Sequence, residues 1–156
     1  MKGKVLEILI NPHPKLRKKS VDFDVSLLSD KKTKEFLADM KETMIKKDGA
    51  GLAAPQVGVN QRIIVLNHEG KNIFMINPEI TKLSFAQEIK DEGCLSVLNS
   101  QGEIYYKPVK RNKWLNCKYI DEKGKIKKLK AKDGLARAIM HEIDHLNGVL
   151  FIDYLN

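Results

Sequence analysis

Two histidines four residues apart, in His141-Glu142-Ile143-Asp144-His145, constrain this chain more than any other feature. On a helix they project from one face, where both imidazoles reach a single divalent ion. Glu142 then stands beside that ion's water without binding the metal. The pentad thus offers two ligands and an adjacent proton carrier, the parts of a metal-assisted hydrolysis. At about 100° per residue, Leu135, Ile139, Ile143 and Leu146 make an apolar stripe, next to a second stripe of Gly134, Ala138, His141 and His145. On the same wheel Arg137, Met140, Asp144 and Asn147 point away from both. Two stripes need cover on two sides, so this helix, with Asp133 as N-cap and Asn147-Gly148 as its stop, belongs deep in a domain.

The remaining segments supply material for that domain. From Ser29 to Lys47, Phe36, Leu37, Met40 and Met44 recur at helical spacing, and Asp48-Gly49 stops them. Arg62 to Asn67 and Asn72 to Ile76 read as strands around a turn at His68-Glu69-Gly70-Lys71. Lys113 to Ile120 and Lys125 to Leu129 read as a second pair across Asp121-Glu122-Lys123-Gly124. Leu115, Cys117 and Tyr119 share one face there, which makes Cys117 a small core residue. An early helix, short strands and a late helix without regular alternation predict an α+β fold. Small antiparallel or mixed sheets pack around a buried C-terminal metal-binding helix, with an N-terminal helix.

With 156 residues and no repeat, linker or low-complexity tract, the chain reads as one domain. No run approaches the ~20 apolar residues of a membrane span, and the N-terminus carries no leader, so a cytoplasmic protein with no membrane partner is expected. Cys94 and Cys117 are too few for a disulfide framework and suit a reducing interior with a thiol free for metal. The net charge of +8 is uneven: between Lys107 and Lys132 stand eleven Lys or Arg against Asp121 and Glu122. That stretch is either the solvated face of a lysine-rich sheet or a surface for ribosomal RNA or another polyanion. No aromatic-lined nucleic-acid motif accompanies it, and nothing points to DNA.

The pentad alone also fits two satisfied histidines on a buried helix, so the third ligand decides. Zinc peptidases of this pattern use a downstream Glu or His, yet only eleven residues follow His145 and Asp153 is their only acid. Upstream, Cys94 lies in Glu92-Gly93-Cys94-Leu95-Ser96, where Gly93 permits tight backbone and the thiol can be exposed. A thiolate and two imidazoles leave one tetrahedral position for water. The same trio suits blue copper, but a carboxylate beside the water position is an odd neighbour for electron transfer. A third segment, Gly49-Ala50-Gly51-Leu52-Ala53-Ala54-Pro55-Gln56, lets another backbone approach closely and brings an amide to a crowded place. By itself it would be a plain turn leading into a strand.

In these three segments the chain resembles the peptide deformylases, a family marked by G-x-G-x-A-A-x-Q, E-G-C-x-S and H-E-x-D-H in this order. Ile8-Leu9, Pro12, Pro14, Leu16 and Arg17, with Leu146-Asn147-Gly148-Val149-Leu150-Phe151, extend the resemblance over nearly the whole chain. It implies one catalytic domain over residues 1–156 that removes the N-formyl group from N-formylmethionyl nascent peptides, releasing formate and a methionyl terminus. It implies that Cys94, His141 and His145 hold one divalent metal ion, Fe(II) in the first place, with zinc or nickel able to take the site. Glu142 takes the proton of the attacking water and passes it to the departing amine. The Gln56 side chain and the Leu95 backbone N–H stabilise the oxyanion. The peptide lies extended along a strand edge near Gly51, its methionine in an apolar pocket lined by Ala50, Gly134 and Ala138. Transient ribosome contact falls to the basic stretch 107–132.

The pattern also departs from the family. Val97 is followed by Leu98-Asn99-Ser100 where Pro and Gly are common, and the stretch to Arg111 is several residues longer, so the substrate walls are altered. Met140 stands where Gln is frequent and, pointing outward on the wheel, should matter little. Ala50 is smaller than the Ile or Val often found there, which predicts a wider methionine pocket. The sequence stops at Asn156, before the C-terminal helix by which many bacterial members dock on the ribosome. Other readings stand beside the deformylase. A metallopeptidase would draw its third ligand from a carboxylate rather than Cys94. A non-catalytic metal- or ribosome-binding relative would replace Glu142, Gln56 or a ligand, and none is replaced; a weakly active metal-binding relative would keep them all and differ in its altered substrate walls.

Overall fold

The apolar run Ile63-Ile64-Val65-Leu66 is buried throughout because its strand is covered on both faces. In the computed structural model, which describes residues 1–155, that strand lies between two helices, α1 (Lys31–Lys46) and α2 (Asp133–Leu146). Alternation divides the run. Ile63 and Val65 join Leu37, Met40 and Met44 of α1 in one cluster, and Ile64 and Leu66 join Ile139, Ile143 and Leu146 of α2 in another.

Seven strands follow in the order β1 (Gly51–Ala53), β2 (Ile63–His68), β3 (Lys71–Leu83), β4 (Gln87–Glu92), β5 (Lys107–Asn112), β6 (Trp114–Ile120) and β7 (Ile126–Lys132). A five-stranded antiparallel sheet runs β1-β2-β3-β6-β7, and β4 and β5 form a separate two-stranded sheet. β2 and β3 are joined by Glu69 and Gly70, both at positive φ (51° and 78°), the arrangement that matches the twist of a two-residue hairpin. β1 ends the large sheet, and α2 packs against it. No helix among the described residues is long and apolar enough to cross a membrane.

The α+β architecture with an early helix and a buried late helix agrees with the sequence, and four details differ. β3 does not stop at Ile76. Asn77, at φ 51°, sits in a bulge where its side chain bonds both the N–H and the carbonyl of Phe23, and the strand then continues to pair with β6. The β4–β5 pair is absent from the sequence reading, because Gln-Glu-Ile-Lys-Asp-Glu exposes one face to water and shows no apolar alternation. Asp133 is not the N-cap of α2. It is the first helical residue, at φ 53°, with its N–H bonded to the Lys113 carbonyl at 2.8 Å, so the sheet sets the entry into the helix and Lys132 takes the cap position without a side-chain bond. Met140 does not point outward: it is 6% exposed and joins the core cluster of the large sheet, with Gln87 and Arg111 of the second sheet lining the same pocket beside it. At the far end Gly148, at φ 75°, does follow the helix, and a Cβ there would lie 2.5 Å from the Arg17 carbonyl oxygen.

Candidate metal centre and cleft

Cys94 is the second residue after the end of β4, on a backbone that Gly93 allows to run tight: a Cβ on Gly93 would meet the Tyr106 ring at 2.6 Å. Its sulfur accepts from the Ser96 N–H at 3.4 Å and lies 3.7 Å from the Gln56 amide nitrogen. Gln56 sits on a single 3-10 turn, Ala54–Val57, that follows β1, and its orientation is fixed at both ends. Its Oε1 accepts from the Ala53 N–H at 2.9 Å and its Nε2 donates to Ser96 Oγ at 3.1 Å. His141 and His145 stand one turn apart on α2 with ring centroids 5.1 Å apart. His145 Nε2 is 3.3 Å from the Cys94 sulfur, and one ligand atom from each of the three residues falls within 4.8 Å of the others. The mid-chain thiol and the two late imidazoles therefore meet.

A buried ionic network supports this trio. His141 Nδ1 is 3.0 Å from Glu92 Oε1, which leaves its other ring nitrogen for the centre. Glu92 also receives Arg111 at 2.8 and 2.9 Å and Arg137 at 2.7 Å. Arg111 goes on to Asp144 at 2.7 Å, and the Tyr154 hydroxyl donates to the same carboxylate at 2.9 Å. Burial would raise the Glu92 carboxyl, but the hydrogen bonds from Arg111 and His141 outweigh it and hold the pKa at about 2. Sequence reasoning missed this network, and it placed Arg137 and Asp144 on an outward face. One signal was available: Arg137 is four residues before His141 and so shares its face. Of the four residues read as outward, only Asn147 is exposed.

Glu142 is fully enclosed, and burial pushes its carboxyl up to about 7, with the neighbouring His141 charge opposing. A Cβ on Gly51 would lie 2.8 Å from Glu142 Oε2, so glycine at that position is what gives the carboxylate its room. Burial opposes a charge on His141, yet the Cys94 and Glu92 contacts hold its pKa above the usual range, while burial and the His141 charge hold His145 below it. Among the described residues, Glu142 Oε1 and His145 Nδ1 are buried without a hydrogen-bond partner. A buried thiol, two imidazoles and an unsatisfied carboxylate beside them fit a divalent metal with nitrogen and sulfur ligands. The centre opens into a cleft of about 290 Å³ whose lining includes Ala50, Gly51, Gly134 and Ala138, with Leu95, Ile104 and Tyr106 from the segment between β4 and β5.

Two helices and two antiparallel sheets, closing on a sulfur and two ring nitrogens with a free carboxylate alongside, define a metal-dependent hydrolase. The family model described as Polypeptide deformylase matches residues 5–156, and the chain belongs to the peptide deformylase family. It is 42% identical over 165 aligned positions to the peptide deformylase of Wolbachia pipientis wMel, covering 97% of this chain and 88% of that one. Against the peptide deformylase of Microchaete diplosiphon it is 45% identical over 129 residues, 80% of this chain and 66% of the relative. The structure superposes on the actinonin-bound class I type b peptide deformylase of Acinetobacter baumannii with a TM-score of 0.90 at 29% identity, covering 98% and 99% of the two chains. The Thermotoga maritima peptide deformylase gives 0.88 at 35% identity, over 97% and 98%. These likenesses favour the deformylase over the metallopeptidase reading.

Proposed function

We propose that this chain hydrolyses the N-formyl group of N-formylmethionyl peptides, yielding formate and a free methionyl amine. The observation that carries the reading is the meeting of Cys94, His141 and His145 beside Glu142, in a chain that matches the family over residues 5–156. Cys94, His141 and His145 would hold one divalent ion, which we take to be Fe(II), with zinc and nickel as the alternatives. When bound, such an ion supplies Lewis acidity that polarises the formyl carbonyl and makes water nucleophilic near neutral pH.

The protein's own groups account for the rest. Glu142 accepts a proton from the attacking water and returns it to the amine nitrogen as the C–N bond breaks, so water and formamide become formate and amine. Its enclosed position suits a carboxyl that must both take and give a proton near neutrality. The Gln56 amide, fixed through Ala53 and Ser96, and the Leu95 backbone N–H donate to the developing oxyanion. The peptide main chain runs along the edge of β1 near Gly51, and its methionine side chain enters the space bounded by Ala50, Gly134 and Ala138. On this reading residues 1–156 form one catalytic domain that works in the cytoplasm on nascent chains, with transient ribosome contact through the basic stretch 107–132.

The test is formate release from a formyl-Met tripeptide by anaerobically purified protein, with metal analysis of the same sample. Turnover in proportion to bound metal is expected, and metal-loaded protein that releases no formate overturns the proposal. Actinonin, bound by the A. baumannii relative, should inhibit.

A further inference from the structure

The side of the β3–β6–β7 sheet turned away from α2 has no part in the cleft. Leu115, Cys117 and Ala131 point inward to the α2 cluster, so alternation sends Trp114, Asn116 and Lys118 to the outer side. The register sets Lys132, Lys130 and Lys128 of β7 opposite these three in turn, and places Lys82 of β3 opposite Asn116. Lys130 Nζ lies 4.6 Å and Lys82 Nζ 5.7 Å from the centre of the Trp114 ring. Glu79, opposite Lys118, is the acid on this side of β3, yet none of Lys82, Lys118, Lys128, Lys130 and Lys132 forms an ion pair among the described residues.

Charge on β7 alone would be explained as protection of an edge strand against pairing with another chain. Lys82 and Lys118 stand on interior strands, where no such protection is needed. Along one side of a strand lysines are about 6.8 Å apart, and neighbouring strands are about 4.8 Å apart. The result is a grid of positive charge around one aromatic ring. We propose that this outer face of β3, β6 and β7 binds single-stranded RNA, the lysines taking phosphates and Trp114 offering a stacking surface to an unpaired base. Trp114 is half-buried among lysines rather than projecting, which suits a base laid on the sheet better than insertion into a lipid surface. The proposal stands apart from the hydrolytic reading and gives the basic stretch a chemical partner.

Trp114 is the only tryptophan in the chain, so its fluorescence reports directly on this face. Metal-loaded protein is titrated with a 20-nucleotide oligouridylate, with inorganic polyphosphate and with phosphatidylserine vesicles. Oligouridylate should shift or quench the emission, with a log–log salt slope of about −3.5 for five neutralised phosphates. The triple variant K118Q/K128Q/K130Q should bind at least tenfold more weakly, with a slope of about −1.4. It should still release formate from a formyl-Met tripeptide at the unaltered rate, which separates failure here from failure of the hydrolytic reading and shows that the variant is folded. Unchanged Trp114 emission with oligouridylate, undiminished binding by the triple variant, or tighter binding of polyphosphate or vesicles than of RNA would each overturn the proposal.

Discussion

Glu142 and Cys117 are both enclosed acids, and their surroundings give them opposite uses. Glu142 faces the ligand trio with one oxygen unpaired among the described residues. The proton-carrying role proposed for it predicts that Glu142→Gln keeps the metal and lowers kcat at least ~10²-fold, with KM little changed. Metal analysis beside formate-release kinetics checks this, and loss of the ion would contradict the role. Cys117 packs into the α2 cluster from β6, and burial pushes its thiol up to about 11 from 9.0. The folded chain thus keeps a proton that the unfolded chain gives up, so stability falls as pH rises through 9 towards 11. At pH 10 the loss is on the order of 1 kcal/mol, and urea midpoints at pH 8 and pH 10 should show it diminished in Cys117→Ala. The inward direction of Cys117 was legible from alternation with Leu115 and Tyr119. The inward direction of Arg137 was not, because its partners Glu92 and Val109 lie on the β4–β5 sheet, which shows no apolar alternation.

At the scale of elements, α2 is covered by both sheets, and the smaller one carries the ionic network. Glu92 closes β4 and binds an arginine from β5, an arginine from α2 and one of the two histidines. Replacing it by Gln leaves two buried guanidinium groups facing a neutral amide. Glu92→Gln is therefore expected to cost about 3–5 kcal/mol in stability and to weaken metal affinity ~10–100-fold, measurable by chemical denaturation and metal competition. The same contact gives an acid limb: with its carboxyl held at about 2 against 4.5, Glu92 stabilises the fold fully above pH 4.5, and that contribution is lost as pH falls towards 2. Glu92→Gln should flatten this limb. Both helices and two of the hairpins were legible because their apolar spacing is regular. The β4–β5 sheet was not, since its strands are held by charge rather than by alternation, and Met140 was misplaced for the same reason: the cover over it could not be seen.

For the whole molecule, the three candidate ligands bind the middle of the chain to its late helix, with Cys94 and His145 51 positions apart. A metal that needs both segments in place binds the folded state alone and shifts the unfolding equilibrium. At free metal 100 times its dissociation constant the gain is about 2.7 kcal/mol. Since each kcal/mol moves the midpoint of a chain this long by roughly 2–4 °C, a chelator should lower the melting temperature by about 5–11 °C. Calorimetry with and without the chelator, repeated on Cys94→Ser, tests this, and equal midpoints would argue against a shared site. The convergence of these segments was legible from the motifs. The way the outer face of β3, β6 and β7 gathers its lysines around Trp114 was not, because it depends on a register that joins Lys82 to strands more than thirty residues later.

β1 is three residues long and has a strand on one side only, with Gly51 at the cleft. On the proposed reading a substrate chain paired there is gripped by its amide groups, which nearly every amino acid supplies alike, so recognition would be almost blind to the side chains that go by. On that proposal one surface would serve chains of many different sequences. Proline is the exception, since its ring nitrogen carries no hydrogen to offer, and chains that present it beside that border should be the ones left unprocessed.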